Sequence, residues 1–400
     1  MTTVAQENPK PAKFLGLAKL MRQVFAGIDL APLGNDLIEQ AKNQPCANVL
    51  MDLAFVLQLR GQREVALSVQ ADALSLQQIY TPASTATQHR LRVLALLSHG
   101  DLMANTPIEF LLEDSDIALN LVYIRPSLAL PTVLPEHDVV FVAMAQSDDN
   151  MLLLAELANT LAHWSTPVIN APDFIARLSR NDSCNVVGNI PGVLMPVTLR
   201  INRQQLQHGL QPFTELTYPI IIRPVDSHAG HDLEKIDDED MLLAYLQNKL
   251  TKQFYLANFI NYQSEDGFFR KYRVLLIAGK AYLCHLGIST HWMIHYLNAG
   301  MTESQAKRDE EARVMADFEA LFANKHQAAL QAIYTRVGLA YVGLDCGETP
   351  DGQLVIFEID SCMMVHALDP VDLFPYKQPH MQKIFTAFQE LLINAATSPH

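Results

Sequence analysis

Cysteine is scarce: five in 400 residues, at Cys46, Cys184, Cys284, Cys346 and Cys362. The number is odd and no pair has Cys-x-x-Cys spacing, which argues against both a disulfide framework and a zinc ribbon and points to a reducing compartment. Positive charge is also in short supply. Twenty-nine Lys and Arg stand against 43 Asp and Glu, a formal net charge of -14, so a phosphate backbone is repelled and no polybasic membrane patch is available. No nucleic-acid or membrane partner is expected. Long apolar runs are missing as well, since Val139 to Ala145 falls far short of the roughly 18 residues a bilayer crossing needs. The opening MTTVAQENPKPAKF lacks the apolar core of a signal peptide, so a cytoplasmic protein is expected. No Gly-x-Gly-x-x-Gly follows the strand-like segments, which leaves a dinucleotide site without support. What the sequence does have is core material: 49% of residues are hydrophobic and 18% charged, over a length that suits two or three packed units.

Residues 14–98 carry helical apolar spacing almost throughout, with breaks at Pro32, Pro45 and Gly61, and predict an all-helical module over 1–98. Within it, ANVLMDLAFVLQLRGQREVALSVQADALSL reads as two helices joined at Gly61-Gln62-Arg63, with Ala54, Ala66, Ala71 and Ala73 allowing close contact. The pair resembles one tetratricopeptide unit. Stacked repeats need neighbours, so a single unit favours a plain helical hairpin or a module that holds a homodimer.

Over 99–190 short apolar runs alternate with helical stretches. IEFLLE, ALNLVYI and DVVFVAMA read as strands, MLLLAELANTLAHW as a helix and PVINAP as a short strand with a turn, which predicts a parallel αβ layer. Over 191–400 the elements change character. YPIIIRPV is a strand, DDEDMLLAYLQNKL a helix with an acidic first turn, and FYLANFI a strand; KYRVLLIAGKAYLCHLGI is a hairpin turning at Ala278-Gly279-Lys280. A charged helix over roughly 303–337 precedes a second hairpin, AYVGLDCGETPDGQLVIFEID, which turns at Pro350-Asp351-Gly352. The expected fold class is multidomain, α/β followed by α+β.

Chemistry concentrates on that second hairpin. Alternation puts Glu358 and Asp360 on one face of their strand, and the turn brings Asp345 back beside them. Three convergent carboxylates in apolar surroundings repel one another unless a cation neutralises them, and magnesium carried with a nucleotide is the natural occupant. The alternative is a solvent-facing polar side of an ordinary hairpin. Upstream, Arg223 ends a strand, a small-residue loop Asp226-Ser227-His228-Ala229-Gly230-His231 follows, and Arg270, Lys271 and Arg273 share one later strand. Alternation aims Lys271 and Arg273 inward and Arg270 outward, or the reverse. The segment HLGISTHWMIHY adds His285, His291, Trp292 and His295; the last two histidines share a face if that stretch is helical, and the open readings are structural histidines, substrate contacts or a zinc site lacking its third ligand.

In order and spacing, residues 191–400 resemble the ATP-grasp superfamily of carboxylate-amine ligases, of the ribosomal-protein glutamate ligase and D-alanine:D-alanine ligase kind. Residues 99–190 look like the Rossmann-like domain that precedes the grasp. The resemblance implies ATP and Mg2+ as cofactors and an acyl-phosphate intermediate that an amine converts to an amide. It implies that Arg223 meets the nucleotide's phosphates in place of the usual lysine, and that Ser227, His228, Ala229 and Gly230 close over them. It further implies that the backbone of Leu256, Ala257, Asn258 and Phe259 contacts adenine, although Ala257-Asn258 replaces the usual acidic residue. Arg273 is expected on the transferred phosphate, with Lys271 where an acid is common, and Asp345, Glu358 and Asp360 on magnesium, with Asp360 in place of an asparagine. Carboxylate and amine substrates are implied, on a peptide, a protein or a natural product, and Arg270, His285, His291 and His295 are candidates for contacting them. A phosphoryl transferase that stops before amide formation and a non-catalytic nucleotide-binding scaffold are the rival readings.

Overall fold

In the computed structural model, residues 12–398 are described, apart from Thr85, Ser127, Asp226, His228 and Ala229. The polar leader before residue 12 lies outside the described residues. The fold is mixed α/β with three sheets.

Four helices come first: α1 (Leu17–Phe25), α2 (Ala31–Asn43), α3 (Ala47–Leu59) and α4 (Arg63–Leu76). α3 is apolar on every side and buries nine of its 13 residues, so it lies at the centre of the group. Gly61, at φ 76, occupies the left-handed region between α3 and α4, where the sequence predicts the break.

The first sheet contains β1 (Ile79–Tyr80), β2 (Leu91–Ser98), β3 (Ile117–Ile124), β4 (Val139–Val142) and β5 (Val168–Ile169), in the order β1-β3-β2-β4-β5. All pairings are parallel except β1 with β3. Two expectations fail here. LRVLALLS, taken as the end of the helical run, is β2, the middle strand; it is buried on both faces, so its leucines carry no alternation. IEFLLE is not a strand: Ile108–Leu111 makes one helical turn after Pro107 and turns Ile108, Phe110 and Leu111 into the core.

The second sheet follows the short β6 (Val193–Leu194) and is antiparallel: β7 (Thr198–Asn202), β8 (Ile220–Pro224), β9 (Glu234–Ile236) and β10 (Gln253–Asn258), ordered β7-β10-β8-β9. Its core of Ile220, Ile222, Phe254 and Leu256 is completed by Leu242 and Leu246 from the helix Glu239–Asn248. Asp238 caps that helix by accepting the Met241 N–H at 2.9 Å.

The third sheet joins β11 (Phe269–Ile277), β12 (Lys280–Ser289), β13 (Tyr341–Glu348) and β14 (Leu354–Asp360), with β6 parallel at its edge, in the order β12-β11-β13-β14-β6. Both hairpins turn at the expected glycine-containing tripeptides. The single helix expected over 303–337 is interrupted. Gln305–Asp317 and Gln327–Val337 are separated by a wide turn, Glu319–Ala323, that seats Phe322 on Tyr272 with 4.5 Å between ring centres. Last comes Lys377–Thr397, whose Phe388 packs edge-on against Phe141 of β4 (5.2 Å) and Tyr341 of β13 (5.1 Å). Among the described residues no helix is long and apolar enough to cross a membrane.

Candidate functional site

The second and third sheets face one another across a cavity of about 560 Å³. The charged residues on its floor stand side by side because β11, β13 and β14 are consecutive antiparallel strands: Arg273 is opposite Asp345, and Asp345 is opposite Glu358. Asp360 lies opposite Gly343 in the same continuous register, and a bulge between Asp345 and Cys346 falls on the side toward the turn.

Asp345 is 1% exposed. Arg273 donates from Nε to Oδ1 at 2.8 Å and from Nη2 to Oδ2 at 3.0 Å, and Lys271 Nζ lies 2.7 Å from Oδ2. Burial alone would raise its pKa, but Arg273 and then Lys271 outweigh burial and hold the carboxyl well below the usual carboxylate range. Glu358 is ion-paired to Arg180, which keeps it ionised against the effect of burial. Asp360 has only the Cys362 N–H, at 2.9 Å, and burial followed by the charge on Glu358 pushes it up to about 6.

The roof comes from β8 and β10. Arg223 at the end of β8 donates to the Ser227 hydroxyl at 3.1 Å and to the Ser227 carbonyl. Burial, then the proximity of Arg180, lowers its guanidinium to about 10. Leu256, Ala257, Asn258 and Phe259 line the cavity, as do Ser227 and Gly230. The Asn258 side chain is occupied elsewhere, accepting the Thr217 N–H at 2.8 Å and donating to the Glu215 carbonyl at 2.9 Å. His228 and Ala229, expected in the phosphate loop with Asp226, lie outside the described residues.

Of the alternatives for the basic strand, Lys271 and Arg273 point in. Arg270 points away, pairing with Asp266 and Glu310, and is not part of the site. His285 and His295 line the cavity but His291 does not. The stretch before Tyr296–Asn298 is not helical, so His291 and His295 share no helical face; His291 accepts the Met293 N–H at 3.2 Å at the surface. Burial, then Arg273, drives His285 well below its ordinary value, and burial, then Lys271, lowers His295.

Among the described residues no group of three or more His, Cys, Asp or Glu is arranged to hold a metal ion. The cations that neutralise the carboxylates are the chain's own: Lys271 and Arg273 take both oxygens of Asp345, and Arg180 takes Glu358. As placed, Asp345, Glu358 and Asp360 do not fit a resident magnesium ion.

Sequence reasoning missed Arg180, which no spacing links to a partner 178 residues later. Its one local signal is Ser179, whose Oγ accepts the Asp182 N–H at 3.1 Å and so starts the helix Arg180–Val187 with Arg180 in its first turn. Sequence reasoning also missed the far wall, built from Met21 and Phe25 of α1 together with His366 and Asp369.

No protein-family model matches the sequence. Among solved structures, the chain is similar to a RimK-domain ATP-grasp protein from Sphaerobacter thermophilus (15% identity, 75% of this chain and 99% of that one covered, TM-score 0.43). It is also similar to the VanG D-Ala:D-Ser ligase from Enterococcus faecalis (14% identity, 78% and 100% covered, TM-score 0.45).

Proposed function

We propose that this protein is an ATP-dependent carboxylate-amine ligase of the ATP-grasp kind. One observation carries the reading. Arg180, Arg223, Lys271 and Arg273, borne on three separate elements, converge on one cavity whose roof is a slot lined by Leu256 to Phe259. A slot ending in four cations suits a base followed by a polyphosphate.

The chemistry needs those cations. A carboxylate is a poor electrophile, so its oxygen first attacks the γ-phosphorus and ADP departs with the bonding pair. The resulting acyl-phosphate is attacked at carbon by an amine, phosphate leaves, and the amine's proton is lost to solvent or to a base. Arg273 and Lys271 sit where negative charge accumulates during the first step and are preorganised by Asp345. Arg180, paired with Glu358, and Arg223, whose charge also acts on Glu358, take the remaining phosphate oxygens. ATP is taken up as its magnesium complex, as a substrate.

The test is ADP release with ATP and mixed carboxylates and amines, run beside hydroxylamine trapping. Ligase chemistry yields ADP that depends on a carboxylate, and a hydroxamate. ADP release without hydroxamate assigns simple phosphoryl transfer, and no ATP binding at millimolar concentration overturns the proposal.

A further inference from the structure

The cavity does not end at the phosphate-facing cations. Arg273 Nη1 donates to the Met364 carbonyl at 3.2 Å, and Met364, His366 and Asp369 also line the cavity, with a buried cluster behind Asp369. Glu311, fully buried on Gln305–Asp317, accepts the Leu286 N–H at 2.9 Å and the Tyr376 hydroxyl at 2.6 Å. The Tyr296 hydroxyl lies 3.0 Å from the same carboxylate. Lys377, 2% exposed, bonds the Tyr296 hydroxyl, lies 3.5 Å from Glu311 and donates to Asp369 Oδ2 at 3.2 Å. Glu311 and Asp369 therefore share the Lys377 ammonium. The Arg308 guanidinium pairs with neither carboxylate; its Nη groups donate to the Met301 and Thr302 carbonyls and to Gln305.

Asp369 is where the surplus charge reaches the cavity. Its side chain is 20% exposed and lines the cavity, and its Oδ1 takes no hydrogen bond from any described residue. The neighbouring imidazoles supply no positive charge: burial lowers both His285 and His366. The surroundings are apolar and partly open. Phe25 of α1 packs on His366 with 4.9 Å between ring centres, and it lines the cavity at 37% exposure, as does Leu297 at 73%.

We infer that this end of the cavity receives the amine substrate, as an ammonium on an apolar body, with Asp369 Oδ1 taking the ammonium and Phe25, Met364 and Leu297 taking the body. The helical module thereby supplies part of the acceptor site through α1. This specificity rests on the ligase reading, since the reaction requires an amine, but the subsite itself is a matter of binding. An anionic acceptor such as glutamate would bring its extra carboxylate against Asp369 and is excluded by charge.

The experiment is calorimetry on the full chain with 2-phenylethylamine and with glutamate as probes, and separately with ATP. Wild type is expected to bind the amine and not glutamate. Asp369→Asn is expected to weaken the amine at least tenfold and leave ATP within twofold. Phe25→Ala, at a partly exposed position, gives a second variant should the first fail to fold, and is expected to weaken the amine about fivefold. Glutamate binding as tightly as the amine, or both folded variants binding the amine as wild type does, overturns the inference. Amine binding with these variant effects but no ATP binding sinks the ligase reading and leaves the subsite standing, whereas ATP binding without amine binding does the reverse.

Discussion

Replacing Asp345 by asparagine keeps the side-chain shape and removes one charge from the most enclosed point of the site. In the wild type that carboxylate holds three donor contacts, at 2.8, 3.0 and 2.7 Å, from Arg273 and Lys271. An amide cannot satisfy two cations, and breaking a buried pair from one side costs about 3–5 kcal/mol because the partner charge is stranded. The Arg273 and Lys271 side chains are each 18% exposed toward the cavity and can hydrate in part, so the lower end, about 3 kcal/mol, is expected. In a chain of this length that is a fall in melting temperature of roughly 4 °C. The stranded cations should then seek an anion. Inorganic tripolyphosphate is expected to raise the melting temperature of Asp345→Asn by more than it raises the wild type, since a ligand at a hundred times its Kd adds about 2.7 kcal/mol and the variant binds it more tightly. Thermal melts with and without tripolyphosphate read both effects. A variant that melts with the wild type, or one that is destabilised but gains no more from tripolyphosphate, would refute the picture of Asp345 as the counter-ion that keeps the phosphate site charged and ordered.

Other outcomes follow from the same geometry. Because the chain's own cations neutralise its carboxylates, ATP should still bind in EDTA, within about tenfold of its affinity with magnesium; calorimetry in which binding disappears without the metal would contradict this. His291→Gln should leave the Michaelis constants unchanged, whereas His295→Gln should raise that of a non-nucleotide substrate, and equal effects would undo the separation seen between the two side chains. Asp52 of α3 accepts the N–H groups of Leu15 and Gly16, and Glu109 those of Leu17 and Ala18, at the start of α1. Burial pushes both acids up to about 7. The folded state then holds protons that the unfolded chain releases near pH 4, so each group's contribution to stability falls as pH rises from about 4 to 7. The melting temperature of Glu109→Gln minus that of wild type should therefore grow more positive between pH 5 and pH 8, and a flat or falling difference would be inconsistent with the raised pKa.

Much of this site could be read from the chain because its parts are local. Ala278-Gly279 and Pro350-Asp351-Gly352 announce two hairpins, and the second sets Asp345 beside Glu358; the pairing of β11 with β13 that puts Arg273 opposite Asp345 joins strands far apart in the chain and has no local signal. The failures have physical causes. LRVLALLS is a strand covered on both faces, so burial erases the alternation that marks a strand, and its leucines imitate a helix. IEFLLE is too short for its period to be decided, and Pro107 at its start settles it as a helical turn. The ion pairs of the expected magnesium carboxylates were only partly legible: Lys271 is two residues from Arg273 and visible, but Arg180 reaches Glu358 through the packing of the helix Arg180–Val187 on β14. Met21 and Phe25 join the cavity through contacts between the first helix and the segment after β14, which periodicity does not report.

The helix Lys377–Thr397 has a consequence for how the protein comes into being. Its Met381, Ile384, Phe385, Phe388 and Leu392 belong to the same core as α3, β2 and β4. On a ribosome, the first helices and the parallel sheet emerge early, yet Phe141 has no Phe388 to meet until the second and third sheets have been synthesised as well. At ordinary elongation rates that is a wait of roughly tens of seconds, during which an apolar face made by the opening third of the chain stands open to any chaperone or to another nascent copy. The helix Lys377–Thr397, translated well after α3, β2 and β4, thus closes the core they begin.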